Sequence, residues 1–205
     1  MGSAASPDRL ESRMTDLTPL DEKLGEVLGL AQAAQTVTDT VSKMEGAGAF
    51  RDELETMGRQ AEETERRTDA LVDGLEGRKT AIREKARETK SEAREMMKSY
   101  LGGEEEALDG FEFLSMAEAG ELCHWEIVDT IAETVGEREV KQLADWAVPV
   151  QREHIETVRR ASLALAVEEA PGDGDLGFRT LRARRVRPRE FRRAGRARAR
   201  AGRPA

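Results

Sequence analysis

Apolar and small residues recur along most of this chain at alternating steps of three and four, which places them on one side of an α-helix. The clearest line consists of Phe50, Leu54, Met57, Ala61, Thr64, Thr68, Leu71 and Leu75. Charged residues of both signs occupy the positions between them, as is typical of a solvated helix face. The pattern therefore predicts a chain built from amphipathic helices.

Glycine and proline divide this pattern into five predicted helices. They cover about residues 18–45, 50–76, 78–100, 104–135 and 137–168. Thr18 and Pro19 supply a hydroxyl cap and a proline at the first helical position, and Gly136 suits a C-terminal stop. The third helix has a weak apolar line, so we interpret it as a connection between two helical hairpins. This order predicts an all-α four-helix bundle with one long helical crossover over residues 18–170.

The last two predicted helices carry polar residues on their inward lines. The line of the fourth helix is Leu114, Ala117, Glu121, His124, Val128, Ile131 and Val135. The line of the fifth is Val140, Leu143, Ala147, Val150, His154, Ala161 and Leu165. Both histidines of the chain therefore fall where a bundle would ordinarily place aliphatic side chains, and Pro149 is expected to kink the fifth helix just before His154.

These polar positions have the chemistry of a metal site. Glu121 and His124 are three residues apart and share a helix face, with Glu118 at its edge and Glu153 beside His154. A charged Glu in a dry core costs several kcal/mol unless it is paired or bound to metal. Imidazole and carboxylate together suit iron, manganese or zinc. We therefore predict these five residues as candidate ligands, with iron or manganese preferred over zinc.

A hypothesis without metal accounts for the same residues. The two histidines would be polar core residues that bond to Glu121 and to each other. Trp125 and Trp146 would be packing anchors at the rim, and Cys123, one position off the inward line, would be a half-buried small hydrophobe. The chain would then be a non-catalytic helical protein with a structural or interaction role.

Composition supports helices and argues against several other classes. Charged residues make up 36% and aromatic residues only 4%, which is typical of long helices. No apolar run approaches the roughly 18 residues that a membrane span requires, and the first residues lack the apolar core of a secretory signal. A single cysteine excludes an internal disulfide. Together these features predict a cytoplasmic protein without a membrane partner.

The net charge of −8 conceals an uneven distribution. Residues 171–205 hold twelve Arg against three acidic residues, a net of +9, so the rest of the chain carries −17. An acidic body repels nucleic acid and anionic membranes.

We predict that 1–17 is flexible and that the Arg-rich tail is disordered. Three hypotheses for 176–205 stay open: a nucleic-acid-binding arm, a solvated tail without a partner, and out-of-frame translation of GC-rich DNA.

Two segments resemble a known family. "FEFLSMAEAGELCHWEIVDTIAE" (111–133), followed by "LADWAVPVQREHIETV" (143–158), resembles the second half of ferritin-like bundle proteins. The likeness is greatest to a bacterial stress-associated ferritin-like family, whose segment of His, aromatic, Glu and Ile matches residues 124–127. "RDELETMGRQAEETERR" (51–67) resembles the second helix of that family. The resemblance extends over about residues 20–168.

The resemblance implies a role in iron or oxidative-stress handling. In the superfamily each half of the bundle supplies a carboxylate and a Glu-x-x-His pair. The second half of this chain matches at Glu121, His124 and His154, with Gln151 where a Glu is usual. The first half has Gln60 near the expected histidine, and residues 1–100 contain no histidine. The resemblance therefore implies a partial or degenerate metal site in a homo-oligomer, a dimer or higher. Three forms stay open: a half-site, a site completed across a dimer, and a relic whose fold outlived its chemistry.

Two further expectations come from the same resemblance. In an enzyme of this kind a bound iron would react with oxygen or peroxide, and the carboxylates would bridge metals or shuttle protons. The segment "DLGFRTL" (175–181) resembles the tails that direct cargo into encapsulin shells, which would make such a shell a partner.

Overall fold

The computed structural model describes residues 17–103 and 106–170, and every regular element within them is helical. The five α-helices are α1 Pro19–Ser42, α2 Arg51–Asp73, α3 Lys79–Tyr100, α4 Ala107–Val135 and α5 Arg138–Glu169, with a 3₁₀ turn at Ala47–Phe50 before α2. The predicted all-helical class is confirmed. The predicted flexible start (1–16 of 1–17), the Arg-rich tail and the shell-targeting segment lie outside the described residues.

Local sequence signals explain where the helices begin and end. Thr18 caps α1: its Oγ1 accepts a hydrogen bond from the Asp21 N–H, and the Asp21 carboxylate accepts one from the Thr18 N–H. Asp21 is itself buried, and it also accepts a 3.0 Å hydrogen bond from Arg78 in the α2–α3 turn. Gly136 ends α4 with a φ of 81°, a left-handed conformation that favours glycine.

Four of the helices contact one another in a cycle, and we refer to them as the bundle. α1 packs against α2 and α4, and α5 packs against the same two helices from the other side. α3 packs mainly on α1, so it lies outside this cycle. None of the described helices has the length and apolarity needed to cross a membrane.

Two glycines allow α3 to approach α1 closely. A Cβ atom added at Gly29 would lie 2.4 Å from the carbonyl oxygen of Ala86, and one added at Gly25 would lie 2.7 Å from the Cβ of Lys85. Both distances are far below van der Waals contact. The connecting helix is therefore tightly docked, because α1 presents bare backbone to it.

The core of the bundle has two apolar clusters with polar residues between them. One cluster surrounds Trp125 and includes Leu24, Val72 and Ala147. The other surrounds Phe111 and includes residues such as Leu54 and Val158. Along α4 and α5, the positions between these two clusters are occupied by buried Glu and by Gln and His.

The inward line of α4 differs from the predicted one at every second position. The buried residues of its central part are Leu114, Glu118, Glu121, Trp125, Val128 and Ala132. This line also advances by alternating steps of three and four, but it has Trp125 where the prediction had His124. Both lines share Leu114, Glu121 and Val128, so the spacing alone could not separate them. The fully buried Trp125 is consequently a core residue rather than a residue of the rim.

Candidate functional site

Five polar side chains meet at the middle of the bundle, and we call them the polar belt: Gln60, Glu118, Glu121, Gln151 and His154. All but Gln60, which is half-buried, are at most 3% exposed. Glu121 lies at the midpoint of α4, and His154 lies next to the midpoint of α5. The belt is thus as far from the helix ends as these helices permit.

Hydrogen bonds between α4 and α5 hold the belt together. His154 Nδ1 lies 3.1 Å from Glu118 Oε2, and Gln151 Nε2 donates to Glu121 Oε1 at 2.9 Å. The polar residues are three positions apart on α4 and three positions apart on α5. Because the two helices run antiparallel, the first residue on α4 faces the second on α5. Backbone register therefore pairs Glu118 with His154 and Glu121 with Gln151.

The ring of His154 is also contacted from α2. Its Nε2 lies 2.8 Å from Gln60 Oε1, while Nδ1 faces the Glu118 carboxylate. A carbonyl oxygen and a carboxylate both accept hydrogen bonds, so this arrangement requires a proton on each ring nitrogen. Turning the Gln60 amide over would let it donate to a neutral ring instead. As placed, both ring nitrogens face acceptors, and the contact of His154 with Glu118 is an ion pair only when the ring is protonated.

Glu121 is the carboxyl group whose surroundings most disfavour ionisation. Burial, and next the negative charge of Glu118, raise the pKa of Glu121 well above its ordinary value. The indole N–H of Trp125 lowers this pKa in part, although it makes no hydrogen bond of ordinary geometry. The belt thus combines one hydrogen-bonded pair, Glu118 with His154, and one carboxyl group that favours its neutral form.

The other predicted ligands lie outside the belt. His124 has a side chain that is 33% exposed, and its Nε2 lies 3.2 Å from Glu26 Oε2 on α1. Its Nδ1 lies 2.7 Å from the carbonyl oxygen of Gly120. Glu153 is exposed to solvent on α5. Cys123, expected to be half-buried, is exposed.

The expected inward placement of His124 is a point on which the structure corrects the sequence analysis. Side chains three residues apart on a helix point in directions that differ by about 60°. Glu121 therefore faces α5, whereas His124 faces α1. In addition, His124 lies six residues beyond Glu118, about 9 Å along the helix axis. The two histidines therefore contact different neighbours, and no bond joins His124 to His154 or to Glu121 in the described structure.

Two members of the belt were not predicted as ligands. Gln60 and Gln151 stand near positions where the family pattern has a histidine and a glutamate, and here they bond to His154 and Glu121. Gln151 had the same spacing of three, since it lies three residues before His154, whereas Gln60 lies beside the inward residue Ala61 and had no such signal. Amide side chains on helix surfaces are common, so spacing alone did not distinguish them.

The donor set of the belt fits a transition metal in kind. Two carboxylates and an imidazole are ligands of iron and manganese, and the buried Oε1 of Gln151 has no hydrogen-bond partner. In arrangement the set is incomplete: among residues 17–103 and 106–170, no group of three or more His, Cys, Asp or Glu is placed to hold a metal ion. Occupancy would require the Glu118–His154 pair to open.

Comparisons with protein-family models, with curated proteins and with solved structures found no match to this chain. The polar belt therefore has to be interpreted from its own chemistry.

Proposed function

We propose that this chain is a ferritin-like bundle protein whose polar belt is a partial binding site for a divalent transition metal, with iron or manganese preferred over zinc, and that it acts in metal or oxidative-stress handling. The observation that carries the proposal is the meeting of Glu118, Glu121 and His154 at the middle of the bundle. Two carboxyl groups in apolar surroundings repel each other as anions, and a cation between them relieves that repulsion.

Four of the five belt residues have a part in this proposal. Glu118, Glu121 and His154 would hold the metal, and Gln60 would orient the imidazole through its contact with Nε2. Ligands must be deprotonated to coordinate, so Glu121, whose pKa is raised by burial, would release a proton on binding. A bound iron or manganese would supply Lewis-acid and redox chemistry. Because α2 contributes an amide here, the site is a partial one.

Metal analysis of paired variants tests the proposal. The full chain is produced with iron and manganese supplied, and its metal content is measured by elemental analysis. We expect bound metal in the unchanged protein and its loss in a Glu121→Gln, His154→Gln double variant. The matched control is a His124→Gln, Glu153→Gln double variant, which changes the same residue types outside the belt and should keep the metal. Metal-free unchanged protein, or equal loss in both variants, would contradict the proposal.

A non-catalytic helical scaffold is the second candidate function. It is favoured by the hydrogen bonds that already join Glu118 to His154 and Glu121 to Gln151, because a belt closed in this way needs no metal to compensate its charge. Under this hypothesis the purified protein contains no metal, and its melting temperature does not change when iron or manganese is added. The two candidates therefore predict opposite outcomes in one set of measurements.

A further inference from the structure

A cavity of about 250 Å³ lies on the side of α1 where α3 docks, between α1, α3 and α4. We call it the α3 cavity. Most of its wall is apolar and includes Leu30, Val37, Ala93, Met96, Phe113 and Ala117. An apolar cavity of about 150 Å³ is enough to bind benzene. The α3 cavity therefore has room for a molecule of about ten carbon atoms, the size of naphthalene.

One buried hydroxyl group in this wall has no partner. Thr89 on α3 is 8% exposed, and its Oγ1 makes no hydrogen bond. The three other buried threonines of the described chain behave differently: Thr38, Thr64 and Thr68 each donate to the carbonyl oxygen four residues earlier. A buried polar atom without a partner is costly. This Oγ1 is itself buried, but no hydrogen bond holds it in place, so rotation about the Cα–Cβ bond would present the hydroxyl to a molecule inside the cavity.

The charged groups of the wall indicate the charge of such a molecule. Glu26 contacts both Lys23 and His124, and Lys85 contacts Glu88. At the inner end, Glu118 and Glu121 are bonded within the polar belt. All buried and half-buried charged side chains of the wall are therefore already paired or hydrogen-bonded within the protein. An ionic ligand would have to break one of these pairs, whereas an uncharged one would not.

We propose that the α3 cavity binds a small, uncharged and largely apolar molecule that carries one hydroxyl group, with its apolar body against Leu30, Phe113 and Ala117 and its hydroxyl on Thr89 Oγ1. This proposal does not require a metal in the belt, because it rests on the apolar wall and on Thr89. It assigns to the chain a ligand of the class of ten-carbon alcohols and phenols.

Binding of 2-naphthol to the full chain, with naphthalene as the probe that lacks the hydroxyl, tests the proposal. Titration calorimetry or probe fluorescence gives the dissociation constants. Thr89→Val keeps the shape of the side chain and removes the hydroxyl, so it should weaken 2-naphthol binding about five- to tenfold and leave naphthalene binding unchanged. Ala117→Leu fills the cavity and should weaken both probes by about tenfold or more. Ala119→Leu, on the exposed side of α4, is the matched control and should change neither.

A second measurement locates the probe without any substitution. Met96 lines the cavity and Met116 does not, yet both are similarly exposed, at 54% and 48%. In spectra of the methyl-labelled protein, 2-naphthol should shift the Met96 resonance and leave that of Met116 in place. Absence of saturable binding, a shift at Met116 alone, or 2-naphthol affinity that Thr89→Val does not change would overturn the proposal.

Discussion

Helix α4 contributes polar residues to two regions, the polar belt and the α3 side of α1. These residues make different contacts in the two regions. In the belt, Glu118 and Glu121 bond to α5 and are at most 3% exposed. One turn further along α4, His124 contacts Glu26 at a partly exposed edge. Spacing along a helix therefore selects a helix face only approximately. The helices that pack on either side then decide whether a polar residue becomes part of the interior.

The two regions also differ in how their polar atoms are satisfied. The belt is joined by hydrogen bonds between side chains, with the Oε1 of Gln151 left over. The α3 side has ion pairs at its rim and an apolar cavity beneath them, with the hydroxyl of Thr89 left over. Under the two proposals, the belt would hold a small cation and the α3 cavity an uncharged organic molecule. Substitutions in the two regions should therefore lower the free energy of unfolding by different amounts.

The largest difference is expected between the two histidines. His154→Ala leaves the Glu118 carboxylate buried without its partner, which should lower the free energy of unfolding by about 3–5 kcal/mol. His124→Ala breaks a partly exposed pair with Glu26, worth about 1 kcal/mol or less. Urea unfolding of metal-free protein, followed by circular dichroism, measures both. Equal losses would show that the belt pair is no more important for stability than the edge pair.

Tight docking of α3 should produce the next largest effect. Gly29→Ala places a Cβ atom 2.4 Å from the carbonyl oxygen of Ala86, so α3 must move and stability should fall by about 1–3 kcal/mol. Gly120→Ala is the control, because it lies in α4 with nothing within 4 Å of the added atom. Its gain in helix propensity should stabilise the protein by roughly 0.5–1 kcal/mol. Thermal unfolding should show a lower melting temperature for Gly29→Ala and a higher one for Gly120→Ala. Melting temperatures that change in the same direction would refute close docking of α3.

The belt should also make stability depend on pH through Glu121. Its pKa is raised in the folded state, so above the unfolded value near 4.5 the folded protein binds more protons than the unfolded chain. Stability from this group is complete below that value and declines as the pH rises towards the raised pKa. Glu121→Gln keeps an acceptor for Gln151 and removes the titration. Compared with this variant, the metal-free unchanged protein should lose more stability between pH 5 and pH 8.

Urea unfolding of the two proteins across this pH range checks that prediction. The control is Glu153→Gln, because Glu153 is exposed on the outside of α5 and should leave the pH dependence unaltered. Parallel pH profiles for the unchanged protein and Glu121→Gln would mean that Glu121 is ionised as easily in the bundle as in the unfolded chain.

The smallest effect is expected at the rim of the α3 cavity. Glu26→Gln removes contacts with Lys23 and His124, both at a partly exposed edge, and should cost about 0.5 kcal/mol at low ionic strength. Added salt screens such pairs, so the cost should shrink at high ionic strength. Unfolding measured at both salt concentrations tests this. A loss as large as that of His154→Ala would remove the contrast between edge and belt.

Much of the fold follows from local signals. The steps of three and four identify the inward line of α2, where Leu54, Met57, Ala61 and Thr64 are buried as expected. The Thr18 cap and the Gly136 stop are decided by groups within a few residues of each other, which is why the sequence reveals them. The docking of α3 had no such signal, since Gly25 and Gly29 weaken a helix and their use depends on the partner helix.

The candidate site was predictable only in part. The sequence marked Glu118, Glu121 and His154 because each is polar and stands on or beside an inward line. It also marked His124 and Glu153, which the tertiary structure places at an edge and on the surface. The predicted line on α4, with His124, and the observed line, with Trp125, share Leu114, Glu121 and Val128. Both lines advance by steps of three and four, so the spacing does not distinguish them.

The helical class, helix ends such as those at Thr18 and Gly136, and the half of the chain with the polar interior residues follow from local sequence, because they depend on backbone propensity and on spacing within one helix. The contact of Glu118 with His154, the contact of Gln60 with that ring and the place of Thr89 in a cavity wall follow only from the packed bundle. Those pairings depend on the relative rotation and register of separate helices, and these are fixed by the packing of large side chains such as Trp125 and Phe111.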